Sequence, residues 1–266
     1  MENGSRMQLG KLLQALEEWA PLARQESYDN AGLILGNRND EVKKVLVCFD
    51  ITPEVVEEAV ERGANVIISH HPAIFRGIKR IDPGSRMGRM LTLSLRHGIA
   101  WYAMHTNLDN TPTGVNAYLA QKMGLTRTRP LVPFPTQADA GAGVIGTLPD
   151  PIRETPLLDK LKAWTGAHCI RHSGLTGRSI RTVALCGGSG GEFFGAAQAA
   201  GADVYITGDV KYHDFADAEK GTWLVDIGHY ESEQFVKGLI HDYLRDKFPH
   251  LAACISERSV NPVCCY

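Results

Sequence analysis

No apolar run in this 266-residue chain approaches the roughly 18 residues that would carry a helix across a bilayer. Neither sign of charge prevails: 28 lysines and arginines stand against 30 acidic residues, a formal net charge of −2. That balance supplies no electrostatic pull toward nucleic acid or an anionic membrane, so neither is expected as a partner. Cysteine is sparse and poorly spaced for metal. Cys48, Cys169, Cys186, Cys254, Cys264 and Cys265 form no C-x-x-C or other zinc-ligand pattern. The adjacent Cys264 and Cys265 read as small apolar residues of a terminal strand. The opening stretch, MENGSRMQLGKLLQALEEWA, lacks a signal-peptide apolar core, so a reduced, cytoplasmic setting is expected. MENGSR reads as an extension before a natural start at Met7. After it, Leu9, Leu12, Leu13 and Leu16 recur at helical spacing.

The length suits one large α/β domain or two smaller ones, either with a substantial core. KVLVCFD (44–50) leads into TPEVVEEAVERG (52–63), where Thr52 suits an N-cap, Pro53 the first turn and Gly63 the end. NVIISHH follows. The same order recurs as TVALCGG (182–188), GEFFGAAQAAG (191–201) and DVYITGD (203–209). A shift of 138 positions superimposes the two segments without a gap, carrying Val45 to Val183, Cys48 to Cys186, Ala59 to Ala197 and Val66 to Val204. The expected fold is α/β, built of two similar halves by internal duplication. Residues 1–126 are expected to form the first half, and 127–266 a linker and the second half. The linker is placed at Arg127–Arg181, a stretch rich in Pro, Gly and Ala.

What is plentiful is polar chemistry at strand ends, where ligands sit in open α/β sheets. VIIS runs straight into His70 and His71, whose side chains, on an extended chain, point to opposite faces. GIAWYAM is followed by His105 and Asp109, and DVYI by Asp209, Lys211 and His213. TWLVDI is followed by His229 and Glu233, four residues apart and so on one face of a helical turn. Imidazole together with carboxylate suits zinc, manganese or iron rather than calcium or magnesium. Two histidines aimed apart can each serve one member of a metal pair.

Weaker signals remain. GGSGG (187–191) fits the G-x-S-x-G pattern with Ser189 as nucleophile, but such short glycine patterns recur by chance, and an anion-binding turn or, equally, a plain tight turn is the better reading. Asp29 and Asn30, in YDNAGLILG, either support the site or cap a turn. His97, His168, His172, His241 and His250 fall outside the strand-end pattern and read as exposed or structural.

SYDNAGLILG, IISHHPAIF, HTNLD followed by GVN, TGDVKYH and GHYESE appear in the order found in GTP cyclohydrolase I type 2-like proteins. These are the NGG-interacting-factor-like family of dinuclear-metal, ring-shaped hexamers, and the chain resembles them from about Leu9 to its terminal NPV. The resemblance implies that His70, His71, Asp109, His229 and Glu233 hold two divalent ions per subunit (Zn, Mn or Fe), with Glu233 shared between them. It implies two α/β halves facing each other across that site, and a homohexamer arranged as a trimer of dimers. Longer members carry an extra domain between the halves, for which the stretch here is too short; functions resting on that domain are not implied.

Two functions follow as expectations. The first is a metal-dependent hydrolase acting through a metal-activated water, with His105, His213 and Lys211 as candidates for proton transfer or charge stabilisation. Its substrate would be a nucleotide or another phosphate-containing small molecule; on the family's label, GTP, its imidazole ring opened with loss of formate. The second is a non-catalytic metal-binding scaffold for metal storage, metal delivery or protein interaction. The polar surplus of His105, Lys211 and His213 favours the first. The absence of a recognisable base- or ribose-selecting motif favours the second.

Overall fold

The computed structural model describes residues 7–218 and 221–264, so the MENGSR extension lies outside the described residues. The elements begin with helix α1 (Leu9–Trp19), strands β1 (Gly32–Leu35) and β2 (Val45–Cys48), α2 (Pro53–Glu61), β3 (Val66–Ser69), α3 (Arg86–His97) and β4 (Ala100–Ala103). They continue with α4 (Thr106–Asp109), α5 (Val115–Met123), β5 (Thr126–Phe134), β6 (Gln137–Arg153), α6 (Glu154–Thr165), β7 (Arg171–His172) and β8 (Ser179–Ser189). The last are α7 (Phe194–Ala199), β9 (Val204–Gly208), α8 (Tyr212–Asp217), β10 (Trp223–Asp226), α9 (His229–Glu233), α10 (Val236–Lys247) and β11 (Ala253–Ile255). No described helix is long and apolar enough to cross a membrane.

The chain forms two compact units. One takes the described residues up to Leu108 together with Phe235–Pro262; the other takes Asp109–Gln234 and the described residues from Val263. These limits differ from a single break after residue 126, because the chain returns late to its first sheet. Strand β11 pairs there in parallel with β2, Cys254 opposite Leu46. The Pro- and Gly-rich stretch is not a linker. It forms β5, β6 and α6, and β6 is paired on both sides, to β5 and to β8. Its Ala and Gly content reflects burial between two neighbours: Gly141 runs so close to β5 that an added Cβ would lie 2.1 Å from the Val132 carbonyl oxygen. Pro130 and Pro133 fall on the edge strand β5, where a missing N–H is tolerated.

In the first unit the sheet runs β1-β4-β3-β2-β11; in the second it runs β5-β6-β8-β9-β10-β7. The duplication is visible in register. Val45 pairs with Val66 and Val47 with Ile68, while Val183 pairs with Val204 and Leu185 with Ile206. Each of these contacts maps onto its counterpart by the 138-residue shift. A third parallel strand follows in both, β4 beside β3 and β10 beside β9, and each is closed by an antiparallel strand, β1 and β7.

The local signals behave as expected. The four leucines of α1 are buried. Thr52 caps α2, its hydroxyl accepting from the Val55 N–H at 3.3 Å. Trp101, Tyr102, Trp223 and Tyr205 are fully buried, and each large apolar side chain so buried contributes about 1.5–3 kcal/mol. The expected terminal strand does not form at Cys264, which is exposed and lies in no strand. Cys265 lies outside the described residues.

Candidate metal centre

In the first unit, three neighbouring parallel strands deliver the polar residues. The Cys48–Ser69 and Ser69–Ala103 pairings align the carboxyl ends of β2, β3 and β4, so the residues just beyond them converge. Asp50 follows β2, His70 and His71 follow β3, and His105 follows β4. The ring centroids of His70 and His71 are 4.9 Å apart, and His105 lies 5.4 and 5.3 Å from them. Phe49 packs on both, stacked on His70 at 5.6 Å and edge-on to His71 at 4.5 Å.

Each imidazole is fixed through the same atom. His70 Nδ1 meets the Met104 carbonyl oxygen at 2.8 Å. His71 Nδ1 meets Asp50 Oδ1 at 2.8 Å, and His105 Nδ1 meets Asp29 Oδ1 at 2.7 Å. The Met104 carbonyl and the Asp50 and Asp29 carboxylates are acceptors, so an Nδ1 that donates to them leaves the lone pair on Nε2, the tautomer that coordinates metals. Pairing of β1 with β4, Gly32 opposite Ala103, brings the Asp29 loop to this strand end. There the Asp29 carboxylate accepts from the Thr106 N–H at 3.0 Å, from the Thr106 hydroxyl, and from the Asn30 N–H at 2.6 Å. Burial alone would raise its pKa, but the bonds from His105, Thr106 and Asn30 outweigh it and hold the carboxyl at about 2.

In the second unit the corresponding strand ends carry carboxylates. His229 opens α9 and faces two of them: Nδ1 lies 2.7 Å from Asp209 Oδ2, and Nε2 lies 3.1 Å from Glu233 Oε2. The four-residue spacing thus does place His229 and Glu233 side by side. Asp209 sits at φ +55, a left-handed conformation that Asp tolerates better than most residues. Glu233 is buried against the glycines that end β8. An added Cβ on Gly188 (φ +64) would lie 2.4 Å from Glu233 Oε1, and one on Gly187 3.2 Å from its Cγ. Burial pushes the Cys186 thiol pKa up, and the nearby charges of Asp109 and Glu233 push it the same way.

The GGSGG turn therefore has a structural use. The N–H groups of Gly187, Gly188 and Gly190 are donated to Asn116 Oδ1, Ser232 Oγ and Thr207 Oγ1, so they are committed within the protein and not offered to an anion. Ser189 is exposed at the strand end. Lys211 and His213 are also exposed, at the start of α8, with the His213 ring edge-on to Tyr212 at 5.3 Å. Lys211 shares a cleft of about 360 Å³ with Ser189, Glu192, Asp209 and Asp214. His97, His168 and His250 are exposed; His172 packs against Trp223 and His241 lies near Asp242.

Of the carboxylates that hold the histidines, Asp29 and Asp209 stand among the polar residues noted in the sequence, whereas Asp50, two residues past β2, was passed over although its place at a strand end was a usable signal. Ser232 and Asn116 carry no such mark.

Fold and strand-end chemistry define an α/β protein with imidazole and carboxylate groups built at the carboxyl ends of parallel strands. The family described as Duf34/NIF3 (NGG1p interacting factor 3) matches residues 7–262, and the chain belongs to that family. It is 34% identical over 228 residues to the GTP cyclohydrolase 1 type 2 homolog of Clostridium perfringens, covering 85% of this chain and 87% of that protein. It is likewise 34% identical over 261 residues to the homolog of Lactococcus lactis, covering 96% and 98%. Among solved structures, a hypothetical protein of Staphylococcus aureus superimposes with a TM-score of 0.88 at 29% identity, covering 98% of this chain and all of that one.

Proposed function

We propose that this protein is a metal-dependent hydrolase whose two divalent ions are held by His70 and His71 of the first unit and by Asp109, His229 and Glu233 of the second. The observation that carries the reading is the common fixing of the histidines: His70, His71 and His229 each engage an oxygen through Nδ1, so Nε2 is the donor atom. The glycine cradle around Glu233 fits the same reading, since it gives a buried carboxylate room that any Cβ would take. Nitrogen and oxygen donors in this mixture suit zinc, manganese or iron. When bound, such ions acidify water and offset negative charge that develops in a reaction.

The chain's own residues supply the rest. His105 is fixed like the ligand histidines but falls outside the five-residue ligand set, which leaves it to move a proton at Nε2. Lys211 and His213, exposed beyond β9, are the candidates for steadying charge on a substrate. A cleft of about 440 Å³ in the second unit has Asp109 in its lining, with Gln121, Thr128 and Arg129. It has room for a nucleotide-sized molecule, and the Arg129 guanidinium suits a phosphate. The names of the relatives point to GTP as the first substrate to try.

The test is a turnover screen of the metal-loaded protein against nucleotides, phosphoesters and peptides, following both free-acid and formate release. Turnover that depends on added metal supports the hydrolase. Absence of turnover with zinc, manganese and iron in turn leaves a metal-holding scaffold.

A further inference from the structure

Two motifs of the sequence, the GVN that follows HTNLD and the GGSGG that ends β8, meet in the second unit. Asn116, on α5, is 4% exposed. Its side-chain Nδ2 donates to the Asp109 carbonyl oxygen at 3.1 Å, and its Oδ1 accepts from the Gly187 N–H at 3.0 Å. One amide therefore ties the backbone of Asp109 to the strand end on which the Glu233 carboxylate lies. The next residue continues the chain of contacts. Gly188 N–H donates to Ser232 Oγ at 2.9 Å, and that hydroxyl donates to the His229 carbonyl oxygen at 2.8 Å.

We infer that Asn116 is a positioning residue that sets the spacing of the two carboxylates, Asp109 and Glu233, with Gly188 as the surface against which Glu233 is seated. The inference rests on the proposed ligand set and adds to it the groups that hold two of its members. The chemistry explains why an asparagine serves. It must donate and accept at once in a buried place, whereas an ionised carboxylate only accepts, a lysine or arginine only donates, and an apolar side chain does neither. Aspartate would turn an acceptor toward the Asp109 carbonyl and add a third negative charge. Leucine would fill the space and leave a buried N–H and carbonyl unsatisfied. At Gly188, any side chain would overlap the carboxylate, in a backbone conformation that already favours glycine.

The experiment compares Asn116→Leu and Gly188→Ala with the wild type in chelator competition for zinc and for manganese, on folded protein, beside the melting temperature of each metal-free form. Asn65→Leu serves as the control: its amide likewise ties backbone to backbone, accepting from the Lys43 N–H at 2.8 Å and donating to the Glu41 carbonyl oxygen at 2.6 Å. Both test variants are expected to lose 10–100-fold in affinity for at least one ion, a loss typical when the groups that orient metal ligands are removed. The control is expected to melt earlier with affinity unchanged. Two ions bound as tightly in both test variants as in the wild type would overturn the inference while leaving the ligand set standing. A wild type that binds no ion would overturn the ligand set and the inference with it.

Discussion

Asp29 and His105, 76 residues apart in the chain, are joined by a 2.7 Å hydrogen bond between Nδ1 and Oδ1. The carboxylate is itself immobilised by Thr106 and Asn30, so the imidazole ring is held from a rigid base. A ring fixed this way presents Nε2 in one direction. If the protein is a hydrolase, His105→Asn should lower turnover by about 10²–10⁴-fold, the usual worth of a positioned proton donor or acceptor. The two metal ions should stay bound. Loss of metal at unchanged specific rate would instead make His105 a support for the ligands.

The same pair gives a pH dependence of stability. The folded carboxyl of Asp29 sits at about 2, below its unfolded value of about 3.9. A depressed folded pKa stabilises the protein above the unfolded pKa, and the contribution is lost as pH falls through the folded one. Roughly 2 kcal/mol should therefore disappear between about pH 4 and pH 2. Denaturant melts of the metal-free protein across that window should show a steeper acid loss in the wild type than in Asp29→Asn. Parallel curves would contradict the assignment.

Glu58 tests the fold at a distance from the polar strand ends. It is 2% exposed, and its carboxylate accepts from the Ser256 hydroxyl at 2.5 Å and from the N–H groups of Glu257 and Arg258 at 3.0 and 3.2 Å. Arg62 pairs with it at 2.9 Å. One side chain on α2 thus anchors the segment after β11 to the first unit. Burial opposes its ionisation, yet these bonds outweigh burial and lower its pKa. Glu58→Ala should cost about 2–3 kcal/mol in a denaturant melt, because it leaves the buried Ser256 hydroxyl and two part-buried N–H groups without the charge they were bonded to. A change within about 0.5 kcal/mol, the range of an ordinary surface substitution, would contradict this.

Assembly is expected to be hexameric, a trimer of dimers, on the strength of the family resemblance alone. Light scattering at micromolar concentration and neutral pH should give six times the chain mass of 29.1 kDa. A monomer mass would contradict it.

Much of this was legible in the sequence because it depends on periodicity and local chemistry. The 138-residue repeat marked β2 with β3 and β8 with β9 as matching segments, and the structure gives both pairs the same register, Val45 opposite Val66 and Val183 opposite Val204. Thr52 and Pro53 announced the start of α2 for equally local reasons. What escaped depends on contacts between distant segments. The return of β11 to β2 carries no local signal, so the unit boundaries could not be placed from composition. The Ala- and Gly-rich β6 looked like a linker because burial on both faces and a linker's flexibility call for the same small residues. The histidines and Asp209 were found by their place at strand ends, whereas Asp50 and Asn116 act through partners that only the fold brings near.

The most direct test of the account is the metal content of the protein loaded in vitro and freed of excess ion. Elemental analysis should find about two divalent ions per chain in the wild type. His229→Ala combined with Glu233→Gln removes a neighbouring pair of donors whose Nε2 and Oε2 stand 3.1 Å apart, and the double variant should lose at least one ion while remaining folded. Metal content unchanged in that variant would contradict the ligand set on which the functional reading stands.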